Sequence, residues 1–248
     1  MADYKFPTEM VDLPSKGYFY FDGHPLSSGK VEVKYMTAKE EDILTSTNLI
    51  EQGIVIDKLL ESLIVDKNIK VDDLLIGDKN AIMIAARILG YGKDYEFNLR
   101  DTEYKSDLTK LEAIDMDFKN FERGKNEFEF ELPTSKRKIT FKLSDGHTEK
   151  KIESELKARE KISKIQSTEL TTRLKHIITS VDGNSEISYI NNFVDNEFLS
   201  RDSLEFRKYL NSITPDIDMN ATAIDSEGKE TEVVIPITVR FFWPSSDL

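Results

Sequence analysis

The chain has no cysteine, so disulfides and thiolate metal sites are excluded from the start. It also lacks a long apolar run. The longest, residues 81–86, is far too short to cross a bilayer. Met1-Ala2-Asp3-Tyr4-Lys5 is not a basic region leading into an apolar stretch, so no signal peptide is expected and the reading is a soluble, cytosolic product. Positive charge is scarce. With 34 Lys and Arg against 46 Asp and Glu, the net charge is −12, and such a surface repels phosphate backbones. The only basic clusters, Lys136-Arg137-Lys138 and Lys150-Lys151, are short or diluted by Glu149, Glu153 and Glu155. Nucleic acid is therefore not an expected partner. A hydrophobic share of 39% across 248 residues still supports a folded core or two smaller ones.

Reaction chemistry is equally thin. A catalytic histidine needs a nucleophile or carboxylate held within hydrogen-bond reach. His24 and His147 sit in Asp-Gly-His turns, where glycine supplies a positive φ, and His176 sits on an amphipathic helix; all three read as solvent-exposed. Asp72-Asp73 and the Asp216, Asp218 pair are the candidate cation sites, but the EF-hand spacing and the His-x-x-x-His and Glu-x-x-His patterns are absent. Gly90-Tyr91-Gly92-Lys93 follows a helix, whereas a phosphate cradle follows a strand and opens a helix. No catalytic, cofactor-binding or metal residue is nominated, and no small-molecule substrate.

Periodicity supplies the architecture. Tyr18–Phe21 and Val31–Met36 read as strands, Thr37 with Glu40 as a capping box, and Ile56, Leu59, Leu60, Leu63 and Ile64 as one helix face. Gly77-Asp78 opens a helix over Lys79–Leu89 that is apolar on nearly every side, and Gly90 closes it. Tyr95, Phe97 and Leu99 alternate as a strand. Beyond a polar stretch, Glu127–Leu132 and Lys138–Leu143 read as strands and a charged helix runs from about Thr148. Leu170, Leu174, Ile177, Ile178 and Val181 mark an amphipathic helix stopped at Gly183, with further helices before Pro215 and a hairpin over Ile217–Ile224 and Glu232–Val239.

The expected fold is α+β in two similar modules, residues 1–122 and 123–248. Each runs from strands through a small helical set to a terminal hairpin knuckle, as an internal duplication would. Leu13-Pro14-Ser15 corresponds to Leu132-Pro133-Thr134, and Arg87 to Arg207. Near the end, Phe241, Phe242 and Trp243 either fold onto the second module's core or form an exposed partner-binding anchor.

Several separated segments, Leu13–Gly17, Tyr35–Leu44, Leu74–Ala81 and Ala86–Gly92, with Ile213–Asp218 and Phe241–Pro244, resemble the T4-type phage baseplate hub subunit and hub assembly protein family. The resemblance covers most of the chain. It implies a non-enzymatic protein of the central hub of a contractile tail's baseplate, with other hub proteins and the tape-measure protein as partners. It also implies host cytoplasm during assembly and the virion tail baseplate afterwards. Many relatives carry Cys-x-x-Cys pairs in the knuckles; residues 98–103 and 224–228 here have none, so no metal role carries over. A transient assembly chaperone is the competing reading, and a cell-wall hydrolase fits poorly for want of an acid/base pair.

Overall fold

The computed structural model describes residues 6–99, 102–162, 168–225, 228–237 and 239–242. The architecture is α+β, with three small antiparallel sheets among the helices. β1 (Thr8–Asp12) and β2 (Lys30–Lys34) form a ribbon in the register Asp12↔Lys30 to Thr8↔Lys34. The alternation of β2 buries Val31 and Val33. Tyr18–Phe21, expected as a strand, is instead a run of turns, and β1 precedes it. The correction has a local cause. Lys16 takes a left-handed conformation (φ 50°) and reverses the chain, so Phe19 and Tyr20 enter the core from a turn while Phe21 stays exposed.

α1 (Ala38–Thr45) begins with the expected capping box, in which Glu40 accepts from Thr37 N and Oγ1 at 2.9 and 2.6 Å. A short α2 (Thr47–Gln52), none of whose residues is buried, leads to α3 (Val55–Leu63), which buries Leu59, Leu60 and Leu63. α4 (Ile76–Tyr91) buries Ala81 through Ile84 with Ala86 and Arg87. It begins before Gly77 and passes through Gly90; Gly92, at φ 84°, ends it instead. Gly77 is required for space, since a Cβ there would lie 1.9 Å from the Pro215 carbonyl oxygen. β3 (Asp94–Leu99) and β4 (Thr102–Asp107) follow as a hairpin.

In the second half, β5 (Phe128–Glu131) and β6 (Lys138–Phe141) pair in the register Glu131↔Lys138. α5 (Gly146–Ile162) precedes α6 (Glu169–Ile177), and there the chain departs from expectation. Ile178 and Val181 are not on the helix but on β7 (Ile178–Val181), opposite Phe141 and Ile139 of β6. The β-branched run Ile178-Thr179 satisfies the open backbone edge of β6, which a helix could not do. α7 (Ile187–Asn192) continues into a single π-type turn, and α8 (Ser200–Ile213) ends before Pro215. β8 (Asn220–Asp225) and β9 (Glu230–Val234) form the last hairpin. Tyr104↔Asp225 and Lys105↔Ile224 join the two hairpins into one sheet, ordered β3-β4-β8-β9. A single apolar cluster reaches from Leu13 through Phe128 to Phe242.

One device occurs in both halves. Asp78, in the first turn of α4, accepts from Ser15 N and Oγ at 2.9 and 2.6 Å. Asp202, in the first turn of α8, accepts from Thr134 N and Ser135 N at 2.7 and 3.0 Å. Each carboxyl group holds a Leu-Pro turn from the first turn of its helix. Each turn also contains a left-handed lysine, Lys16 at φ 50° and Lys136 at φ 59°. Arg207 does not match Arg87, because its Nε reaches only Ser203 O of its own helix, at 3.3 Å.

Candidate interaction groove

Two histidines that were expected in open turns converge on one carboxylate. His147 Nε2 lies 3.0 Å from Asp73 Oδ1, and His24 Nε2 lies 3.5 Å from Asp73 Oδ2. His147 is exposed as expected, but the His24 side chain is only 11% exposed and stacks on Tyr20 with ring centroids 5.4 Å apart. His24 Nδ1 accepts from Leu26 N at 3.1 Å, which puts the ring proton on Nε2 toward Asp73. That tautomer has no lone pair to give a metal at Nε2. His176, a quarter exposed, pairs with Glu155 at 2.9 Å. Among the described residues no hydroxyl group hydrogen-bonds any of the three rings, and no three His, Asp or Glu side chains are grouped to hold a metal ion.

The buried acid Asp78 is committed in the same way. It takes Ser15 N–H, the Ser15 hydroxyl and, at 2.6 Å, the Tyr20 hydroxyl, which itself accepts from Leu75 N. Burial pushes both the Asp78 carboxyl and the Tyr20 phenol up from their ordinary values. Of the acids first considered as cation ligands, Asp72 pairs with Lys150, Asp216 accepts from Asn80 and Ile217 N, and Asp218 accepts from Asn220.

Phe241 and Phe242 are not an exposed anchor, because both are 0% exposed. Phe241 packs edge-on to Tyr95 at 5.0 Å, and its carbonyl accepts from Arg87 Nε at 2.9 Å. Arg87 further donates to Gly92 O and Asp94 O, so the last helix of the first half pins the turn that holds Phe241. Trp243 lies outside the described residues.

A groove of about 1010 Å³ lies between α2–α4 on one wall and α5 on the other. Ile54, Ile56, Ile76, Met83 and Ile237 supply its apolar floor. Lys79, Lys150, Lys157 and Lys161 stand on its rim with Asp57, Glu149 and Glu153. Two of the acids are already neutralised. Asp57 is held by Lys79 at 2.5 Å and Lys150 at 3.0 Å, which outweigh its burial and keep its carboxyl below the usual range. Glu149 is bound through both oxygens by Arg173 Nη1 at 3.0 and 2.8 Å. Lys161 has no ion-pair partner among the described residues, and Lys157 meets only Glu153, at 3.5 Å. No local pattern in the chain marks this groove. Lys150, Glu153, Lys157 and Lys161 read there only as a charged helix, and the facing wall comes from residues far away along the chain.

Chemically, its apolar residues and charged rim suit an elongated, partly apolar segment. Comparison with protein-family models, with curated proteins and with solved structures finds no match to this chain.

Proposed function

We propose that this chain is a structural or assembly protein of the central hub of a contractile phage tail baseplate, acting through protein–protein contacts. One observation carries the reading: the segments behind the family resemblance meet as structural contacts. Ser15 of Leu13–Gly17 is bonded by Asp78 of Leu74–Ala81, Thr37 and Glu40 cap one helix, and Arg87 of Ala86–Gly92 holds Phe241 O. Those motifs tie distant parts of the fold to one another. The groove gives that fold a face for adhesion, and the net charge of −12 speeds docking on basic partners while resisting wrong contacts.

The test is genetic. In a phage encoding this chain, deletion should stop tail formation before the sheath polymerises, and the chain should co-purify with other hub proteins from infected cells. Normal tails in its absence defeat the assignment. The open groove also favours a second reading, a chaperone that holds a partner such as the tape-measure protein only during assembly. Mass spectrometry of mature particles separates the two, since the chaperone is missing from them.

A further inference from the structure

Resting on that reading, we propose that the groove between α2–α4 and α5 receives an acidic amphipathic helix of a partner protein. Shape argues first. None of the groove's lining residues belongs to a strand, so a partner cannot add there by backbone pairing to a sheet edge. The groove follows α5 from Gly146 to Lys161, about 22 Å at roughly 1.5 Å per residue. That length suits a partner helix of about four turns. Gly53, Ser154 and Ala158 line it without bulk, which lets a second helix approach to about 8–10 Å between axes.

The state of α5 argues next. From Glu153 to Lys161 no residue of this helix is buried. The ion pairs of this stretch are its own i,i+4 pairs, Glu155–Arg159 and Lys157–Glu153, and the His176–Glu155 contact with α6. Such pairs contribute only a few tenths of a kcal/mol each. The groove side of α5 has no covering element among the described residues, yet it faces five apolar floor residues.

Charge selects the partner. Asp57 is paired with Lys79 and Lys150, Glu149 with Arg173, and Glu153 with Lys157, which leaves Lys161 as the one charged lining residue without an ion pair among the described residues and the lining one lysine in excess of its acids. A helix with apolar residues at i, i+3, i+4 and i+7, flanked by Asp or Glu, would cover the floor and meet those lysines. A basic helix of the same pattern would meet Lys157 and Lys161 with like charge.

The experiment selects displayed random 15-residue peptides on the full-length protein. The pool is counter-selected against a Lys157→Glu/Lys161→Glu variant and, separately, against Ala158→Trp, which fills the groove. Both changes lie on the exposed part of α5, and circular dichroism verifies that each variant is folded. The expected pool has helical apolar spacing with acidic flanks, and its peptides bind either variant at least tenfold more weakly. Their affinity for the unaltered protein should also fall with added salt. An empty pool, a basic pool, a pool without helical spacing, or peptides that bind the folded variants as well as the parent would overturn the proposal. The outcome is separable from the hub assignment. Acidic helical peptides selected by a protein whose deletion leaves tails normal would uphold the groove and sink the hub reading. A failed selection with a tail-assembly defect would do the reverse.

Discussion

Ser15 and Asp78, 63 residues apart, are joined by two hydrogen bonds, one from the backbone N–H and one from the hydroxyl. Tyr20 adds a third donor to the same carboxyl, so one acid ties the first turn of α4 to the Leu13-Pro14 reversal. Asp78→Ala leaves three buried donors unpaired and should cost about 3–5 kcal/mol in urea unfolding, given 1–3 kcal/mol for each unsatisfied group. Asp78→Asn keeps an acceptor and should cost less. Because burial raises the Asp78 carboxyl, its contribution is full below the ordinary carboxylate range and fades as pH rises through the raised value. The advantage of the parent over Asp78→Asn should therefore narrow from pH 4 to pH 8. A constant or widening gap contradicts this assignment.

Glu40 runs the opposite way. Burial alone would raise its carboxyl, but hydrogen bonds from Lys34, Ser62 and Thr37 prevail and hold it at about 2. A depressed carboxyl stabilises above the unfolded value of 4.5 and loses that contribution as pH falls toward 2. Glu40→Gln should cost roughly 3 kcal/mol at pH 7. Its deficit should shrink between pH 5 and pH 2 in denaturant titrations.

Two glycines of α4 should respond differently to alanine. Gly77→Ala drives a Cβ into the Pro215 backbone, which cannot yield without moving the link between α8 and β8; a loss above about 3 kcal/mol, or failure to fold, is expected. At Gly90 the Cβ would meet Met36 Sδ at 2.7 Å, the far part of a flexible side chain. The helical preference of alanine, about 1 kcal/mol, should offset that contact and leave thermal stability nearly unchanged.

Arg87→Lys removes the fork that bonds Phe241 O, Gly92 O and Asp94 O together. A lysine cannot reach three carbonyls in that plane. A loss of about 2 kcal/mol is expected, with faster hydrogen exchange in the Val239–Phe242 turn than in β5 or β6. Unchanged exchange there would show that Arg87 is not what secures this turn.

Short-range signals were readable where they are self-contained. The Thr37–Glu40 box, the apolar face of α3 and the alternation of Tyr95 and Phe97 each depend on neighbours a few residues away. What was hidden depends on distant partners. Tyr18–Phe21 has strand composition, but the Lys16 reversal and the Tyr20–Asp78 bond hold it in turns. Ile178 and Val181 continue a helical period, yet β6 recruits them as a strand. The anchoring of Phe241 by Arg87 and the meeting of His24 with His147 cross the whole chain, and no local pattern announces either. The groove was illegible for the same reason, since its two walls are distant in sequence.

The joining of β4 to β8 has a consequence during synthesis. The first hairpin leaves the ribosome with the edge that will receive Ile224 and Asp225 still vacant. At 5–20 residues per second that edge waits on the order of ten seconds for its mate to be translated. Throughout that interval the nascent protein carries an unclaimed strand edge, open to chaperones or to a neighbouring nascent copy.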